Sequence, residues 1–281
     1  MGQILNDAEF QMFKDFVYRS SGMDFNQKNK LRMEFKLKDR LAELGYKDFN
    51  SYYAFLNKRS VSADIEVKVL LDLLTVNETS FFRNSGHFKA YTDTVLPELF
   101  EKKPSIFTKK VAINIWSAGC STGQEPYSLA VAYLEKAGLK ASNMQMQIYA
   151  TDISETALSI AKEGNYAKKR LQNMPPNVLK KYFIEHEDRI EVKPEVKKMI
   201  TFMYANMKTS TYLRGLDVIF CRNVMIYFDD AMREHAIKEF HKALNPGGYF
   251  FIGHSESLSK YKDLFDFKVI NGGIVYKKIG D

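Results

Sequence analysis

The segment from Ser117 to Tyr127 concentrates more ligand-binding chemistry than any other part of the sequence: Gly119 and Gly123, the hydroxyls of Ser121 and Thr122, and the carboxylate of Glu125 before Pro126. It follows the apolar run Val111–Trp116 and leads into an amphipathic stretch, Glu125–Ala137, so it reads as a turn from strand to helix. A strand, a glycine-bearing turn and a helix opening with proline make the nucleotide-binding corner of α/β proteins. Gly119 and Gly123 stand four apart and no G-x-G-x-x-G occurs, which excludes a dinucleotide fingerprint. Gly123 is followed by Gln124 rather than Lys-Ser/Thr, which excludes a phosphate-cradling loop. Glu125 would place negative charge where a pyrophosphate should lie. A carboxylate there suits a cofactor carrying an ammonium or sulfonium group; the alternative is an acid capping the helix.

Two more strand ends carry chemistry. The run Gln147–Thr151 ends in Asp152-Ile153-Ser154, and an acid over the carboxyl end of a strand can accept hydrogen bonds from a ribose diol. Its alternative is again a helix cap. The run Leu216–Cys221 leads into Arg222, Asn223, Val224, Met225, Ile226, Tyr227 and Phe228, where many methyltransferases orient the methyl acceptor. Enzymes that methylate an exocyclic base amine carry an Asn/Asp-Pro-Pro-aromatic segment at that place. Here the only such run, Asn173–Pro176, lies elsewhere and lacks the aromatic residue. For Tyr227 the alternative is core packing.

The elements that must position these residues fall into two textures. Residues 1–76 read as helices only, with apolar positions at three- and four-residue spacing in Phe10–Phe13–Phe16/Val17, Leu31–Phe35, Leu37–Leu41–Leu44 and Ile65–Val69–Leu73. Ser21-Gly22 and Gly45 supply stops. From about residue 111, short apolar runs alternate with helical stretches, which predicts a mainly parallel sheet covered on both faces. Thr201–Ala205 and Tyr249–Gly253 are further strands, with helices at Glu155–Lys162 and Asp230–Leu244. Phe267–Ile270, Asn271-Gly272-Gly273 and Ile274–Lys278 form a hairpin signal at one sheet edge. Residues 77–105 connect the halves and hold a helix candidate from Gly86 to Phe100. Residues 164–200 are an insertion in the 106–281 domain, with a short helix near Val178–Phe183 and β-prone runs at Ile190–Lys193 and Val196–Ile200. Insertions of this kind are often interaction surfaces.

Composition narrows the class. The chain has 281 residues, 45% of them hydrophobic, enough to bury a full core. No apolar run approaches the roughly 20 residues that cross a bilayer, and Asp7 and Glu9 stand where a signal peptide needs a basic end and an apolar stretch. Cys120 and Cys221 lie in separate apolar segments without metal-ligand spacing, which suits reduced thiols in a soluble cytoplasmic protein with no metal. The net charge of +7 localises in part. Lys28, Arg32, Lys36 and Arg40 recur every four residues, and residues 28–40 hold six basic side chains against Glu34 and Asp39, a local +4. That stripe is either a solvated face or a docking face for an acidic partner.

Taken together, these residues resemble the chemotaxis receptor methyltransferase family, CheR. The resemblance rests on Asn77–Arg83, Trp116–Ser128, Ala150–Ser154, Phe220–Phe228 and Gly253–Glu256, which occur in the family's order and at compatible spacing, and it extends over nearly the whole chain. It implies an α/β fold: a Rossmann-like class I methyltransferase domain with a small all-helical N-terminal domain and a small β insertion. It implies S-adenosyl-L-methionine as cofactor, S-adenosyl-L-homocysteine as product, and glutamate carboxylates of receptors as acceptors. Asn77, Thr79 and Arg83 would then reach into the cofactor pocket, with Arg83 a match for the methionine carboxylate. Glu125 would lie near the methionine end and Asp152 at the ribose. Asn206 and Met207 match the adenine-side pair, Arg222 and Asn223 the reactive end, and Tyr227 the aromatic residue near the transferred methyl.

Enteric members of the family carry an arginine-rich stretch after the linker helix. Here Glu98–Lys103 offers only Lys102 and Lys103, so that role does not transfer. By the same resemblance the basic stripe at Lys28, Arg32, Lys36 and Arg40 docks cytoplasmic receptor helices, without nucleic acid or membrane insertion, and the enzyme is a monomer. Some members grip a receptor's C-terminal peptide with a glycine-containing loop in the insertion. Ile184–Lys198 contains no glycine, so no peptide binding is expected. A nucleic-acid or small-molecule methyltransferase and a non-catalytic adaptor are the rival readings. The missing base-methylation segment opposes the first, and intact Arg83, Glu125, Asp152 and Tyr227 oppose the second.

Overall fold

The computed structural model describes residues 4–102, 110–138, 144–168, 171, 174–210 and 212–280. The helical half comprises α1 (Asp7–Ser21), α2 (Lys30–Leu44), α3 (Phe49–Leu56) and α4 (Val61–Leu74) around Phe13, Val17, Met33, Leu37, Phe49, Tyr52 and Leu70. A reciprocal cap opens α1: the Asn6 side chain accepts from Glu9 N (2.9 Å) and Glu9 accepts from Asn6 N (3.0 Å). The predicted helices are present, and Leu37 and Leu41 face inward as their spacing suggested, but Leu31–Phe35 on α2 and Ile65 on α4 do not. Leu31 and Phe35 are 79% and 63% exposed while Met33, Leu37 and Leu41 are buried, and Ile65 is exposed while Ala63, Glu66 and Leu70 are buried. A buried acid sets the phase. Glu66 takes a two-pronged ion pair from Arg40 (2.8 and 2.6 Å) and a hydrogen bond from Tyr52 Oη (2.7 Å), tying α2, α3 and α4 together.

The linker forms α5 (Ser85–Ala90) and α6 (Leu96–Phe100), joined without a break by a π-helical turn over Tyr91–Val95. It docks on the second half, where Phe82 N donates to Ser128 Oγ (3.0 Å).

That second half alternates as expected: β1 (Val111–Ala118), α7 (Gln124–Ala137), β2 (Met144–Asp152), α8 (Glu155–Glu163). Next come the insertion, β3 (Asn165–Ala167), α9 (Pro176–Tyr182), β4 (Phe183–Glu185), β5 (Arg189–Val192) and α10 (Pro194–Lys197). The chain finishes with β6 (Ile200–Tyr204), β7 (Leu216–Cys221), α11 (Asp230–Ala243), β8 (Leu244–Ile252), β9 (Phe265–Ile270) and β10 (Gly273–Lys278). The main sheet runs β6-β2-β1-β7-β8-β10-β9, with the first five parallel and the hairpin antiparallel at the edge. Strand β7 is buried at every position, since Val218 and Phe220 face one core with Ile113 and Ile115 while Ile219 and Cys221 face the other with Trp116 and Phe240. Val196–Ile200 was expected to be extended; instead Pro194 opens α10, and the small sheet β3-β5-β4 uses Asn165–Ala167 and Phe183–Glu185.

The chain leaves β1 toward β2 and β6, then crosses back to β7 and proceeds the other way. The reversal puts a crevice at the carboxyl ends of β1 and β7, where open α/β sheets bind their ligands.

Candidate active site

The crevice encloses about 1100 Å³, its open mouth included. From β1 it is lined by Gly119, Ser121 and Glu125; from β2 by Asp152 and Ile153; from beyond β6 by Ala205 and Met207. Past β7 come Arg222, Asn223, Val224 and Tyr227, and the linker adds Asn77, Glu78, Thr79 and Arg83. Asn206 alone among the expected residues does not line it. Its amide donates to Ser20 O (2.7 Å) and its carbonyl accepts from Lys208 N (3.0 Å), so it braces the β6 end against α1. Lys102 pairs with Asp217 at the opposite end of β7, far from the chemistry, and Lys103 lies outside the described residues.

The turn after β1 is made of backbone. Gly119 N and Cys120 N both donate to Thr151 O (2.8 and 2.9 Å), and Ser121 N donates to Asp152 Oδ2 (2.7 Å). Gly119 has φ +77°, and a Cβ there would sit 2.3 Å from Val224 Cγ2, so only glycine lets the β1 and β7 turns touch. Asp152 also accepts from Ser154 N (2.9 Å), while Ser154 caps α8. Burial raises the Asp152 carboxyl above the usual aspartate range, against the lowering pull of the N–H groups of Ser154, Ser121 and Ile153. Such an acid gains from further donors, as ribose hydroxyls are. Ser121 is buried and lines the crevice, and its Oγ has no hydrogen-bond partner among the described residues, which leaves it for a ligand.

Glu125 accepts from Ser117 Oγ (2.8 Å) and pairs with Arg222 Nη1 (3.1 Å). Arg222, its side chain 3% exposed, also donates to Arg83 O (2.7 Å), so one guanidinium joins β1, β7 and the linker. Arg83 itself is half-buried and donates to Glu78 O (3.1 Å). Tyr227 is half-buried, and burial raises its phenol further above its ordinary value, keeping it protonated at neutral pH. Both cysteines are free and buried. Among the described residues no cluster of His, Cys, Asp and Glu could hold a metal.

Three lining residues could not be picked out locally. Ser21, Met23 and Phe25, from the helical half, wall one side. Met23 forms an antiparallel bridge with Phe228, and Asp24 N donates to Tyr227 O (2.8 Å). The alternation of apolar Met23 and Phe25 around Asp24 just past α1 was the available signal of an extended segment.

The donor set fits S-adenosylmethionine. Glu78, Glu125 and Asp152 against Arg83 and Arg222 give the lining a net charge of −1, opposite to that of a ligand bearing a sulfonium, an ammonium and one carboxylate. A pyrophosphate would meet the wrong sign. The fold and crevice are those of a class I methyltransferase dependent on S-adenosylmethionine. The CheR methyltransferase SAM binding domain matches residues 77–273 and the CheR all-alpha domain residues 8–75. This chain belongs to the CheR methyltransferase family. A chemotaxis protein methyltransferase of Borreliella burgdorferi is 38% identical over 251 residues, covering 88% of this chain and 87% of that one. Chemotaxis protein methyltransferase 2 of Vibrio cholerae is 31% identical over 279 residues (98% and 94%). The Escherichia coli chemotaxis protein methyltransferase is also 31% identical, over 278 residues (97% and 91%). No helix among the described residues is long and apolar enough to cross a membrane.

Proposed function

We propose that the chain methylates glutamate side chains of chemotaxis receptors in the cytoplasm, acting as a monomer. The proton inventory of the crevice supports a carboxylate acceptor. No His or Lys is among the described residues that line it. Of its three lining carboxylates, Glu78 is exposed at the solvent side, while Glu125 is occupied by Ser117 and Arg222 and the buried Asp152 by Ser121 and Ser154. An amine or alcohol acceptor would need a base to take its proton; a glutamate, with an unperturbed pKa near 4.3, arrives ionised. The bound cofactor supplies a sulfonium methyl that a carboxylate oxygen takes with no proton transfer, the C–S electron pair staying on sulfur. This chain's part is to align and to exclude water, because the reaction annihilates charge and water favours the separated ions. Met23, Phe25, Phe88, Val224 and Phe228 give the crevice an apolar wall for that purpose.

In this reading Arg83 and Glu125 meet the methionine end of the cofactor, Asp152 the ribose, and Ala205 with Met207 the adenine. Asn77 and Thr79 close the linker side. Asn223 and Tyr227 flank the methyl, with Arg222 holding their turn to Glu125, and Asn206 acts from behind.

The docking face is narrower than the sequence stripe. Arg32 donates to Leu74 O and Arg40 is committed to Glu66 and Glu43. Lys28 and Lys36 have no side-chain partner among the described residues, and between them Leu31 and Phe35 lie exposed. A receptor helix with acidic and apolar residues would meet both. The test incubates enzyme, methyl-labelled cofactor and receptor cytoplasmic fragments. Label released by base as methanol is expected; base-stable label, or none, overturns the ester. In the same assay K28E/K36E should raise the receptor KM about fivefold or more at low salt and leave cofactor affinity unchanged. An unchanged KM removes the docking face.

A further inference from the structure

The loop after β8, Gly253-His254-Ser255-Glu256, contributes nothing to the crevice wall, yet its one carboxylate reaches the turn that does. Glu256 Oε2 accepts from Gly253 N (2.5 Å) and from Asn223 N (3.0 Å). Strands β7 and β8 are parallel neighbours with Cys221 opposite Ile252, so these are N–H groups just past the end of the ladder, where no further strand partner exists. One carboxylate oxygen therefore clamps the two strand ends together. Asn223 has φ +60°, a left-handed backbone for a residue with a side chain, and such a conformation persists only where the surroundings impose it. Room for the clamp depends on Gly253. A Cβ at that position would lie 2.7 Å from Glu256 Oε2 and 2.9 Å from Asn223 N.

Stability alone does not account for this arrangement. Among the described residues, Glu256 Oε1 is buried without a hydrogen-bond partner, a desolvation cost that a residue kept for folding would avoid. What the clamp controls is the direction of the turn it holds. Arg222, next to Asn223, carries the guanidinium that joins Glu125 to Arg83 O. Val224 packs on Gly119, and Tyr227 follows on the same short turn.

We propose that Glu256 is a positioning residue for methyl transfer: by binding Gly253 N and Asn223 N it holds the Arg222–Tyr227 turn in the orientation that aligns acceptor and methyl. The proposal rests on the reading of Asn223 and Tyr227 as the wall beside the methyl. Glu256 acts through the backbone, so its length matters more than its charge. Gln, equally long, can accept the same two N–H groups; Asp, charged but one methylene shorter, cannot reach both.

The experiment measures kcat, receptor KM and S-adenosylhomocysteine affinity for E256A, E256Q and E256D, with N223A and Y227F as references for the wall. In E256A, kcat should fall about tenfold or more while receptor KM and cofactor-product Kd move less than about threefold. E256Q should recover to within about threefold of the parent, ahead of E256D. S255A, on an exposed neighbour, should match the parent. The proposal is overturned if E256A keeps its kcat, if kcat and affinity fall by the same factor, or if Asp outperforms Gln. Should E256A not fold, the order of Gln and Asp decides. If N223A and Y227F lower kcat while E256A does not, only the role of Glu256 fails; if neither reference variant lowers it, the placement of the wall fails and the proposal with it.

Discussion

Two neighbouring strand ends build the crevice, and they are held in different ways. The turn after β1 is closed by its own backbone against the adjacent strand, through Gly119, Cys120 and Ser121 to Thr151 and Asp152. The turn after β7 is held from a distance: Asp24 reaches Tyr227 O, Arg83 O takes the Arg222 guanidinium, and Glu256 takes Asn223 N. A turn stabilised by near neighbours is complete once β1 and β2 pair. One assembled from three remote segments forms only after long loops close, and it yields when any one of them is disturbed. The first suits a cofactor common to all substrates. The second suits an acceptor delivered by a partner, and if that partner docks on the helical half as proposed, Asp24 lies a few residues before the proposed face around Lys28 and Lys36.

The strongest test strikes where the turns touch. Gly119→Ala would force a side chain into left-handed backbone and into Val224. The two penalties together should cost about 3–5 kcal/mol, lower Tm by about 10 °C and abolish measurable S-adenosylhomocysteine binding by calorimetry. If the folded variant lost turnover but still bound the product tightly, the β1 turn would not be the cofactor corner. Next in size, Arg222→Met leaves the largely covered Glu125 without its ion-pair partner. Denaturant unfolding should show a loss of about 3 kcal/mol, and kcat should fall further than product affinity does. Equal losses in both would erase the distinction between the turns.

The same contrast explains what the sequence made legible. The β1 turn could be read because its chemistry is consecutive; Gly119 and Gly123 exclude the dinucleotide and phosphate-loop readings by their spacing, and the charge of Glu125 favours a cationic cofactor. The parallel strands could be read because burial on both faces leaves near-continuous apolar runs, as in Leu216–Cys221. The second turn was placed through family likeness, which also named Arg83 and Gly253–Glu256, but their contacts with that turn were not foreseen. Nothing local in Glu256 or Met23 announces a partner 33 or 205 residues away. Leu31–Phe35 on α2 and the inward face of α4 were misassigned for a related reason, while Leu37 and Leu41 are buried as their spacing suggested: apolar periodicity has no means of expecting Glu66 in the core, paired with Arg40. The basic stripe proposed to dock a partner lost Arg32 and Arg40 to such internal partners.

The smallest predicted effect concerns acid. His87 on α5 is 3% exposed, its ring edge-on to Phe251 at 5.7 Å, behind the second turn. Burial, and then the charges of Arg222 and His254, lower its pKa to about 3. Its Nδ1 has no hydrogen-bond partner among the described residues. In the unfolded chain the ring titrates near 6.5. Above that pH both states are neutral and its contribution is fully present. As pH falls below 6.5 the unfolded chain binds a proton that the folded protein refuses, so stability declines until the folded pKa is passed. Between pH 7 and pH 5 this one ring should remove about 2 kcal/mol. His87→Leu, similar in volume and unable to titrate, should lose that much less over the same interval in urea unfolding. The decline should also reach turnover before cofactor-product affinity, if the Arg222–Tyr227 turn that His87 lies behind flanks the acceptor as proposed. Parallel pH profiles for the parent and H87L would show that the ring takes up its proton without opening the fold, and that acid does not separate the two turns.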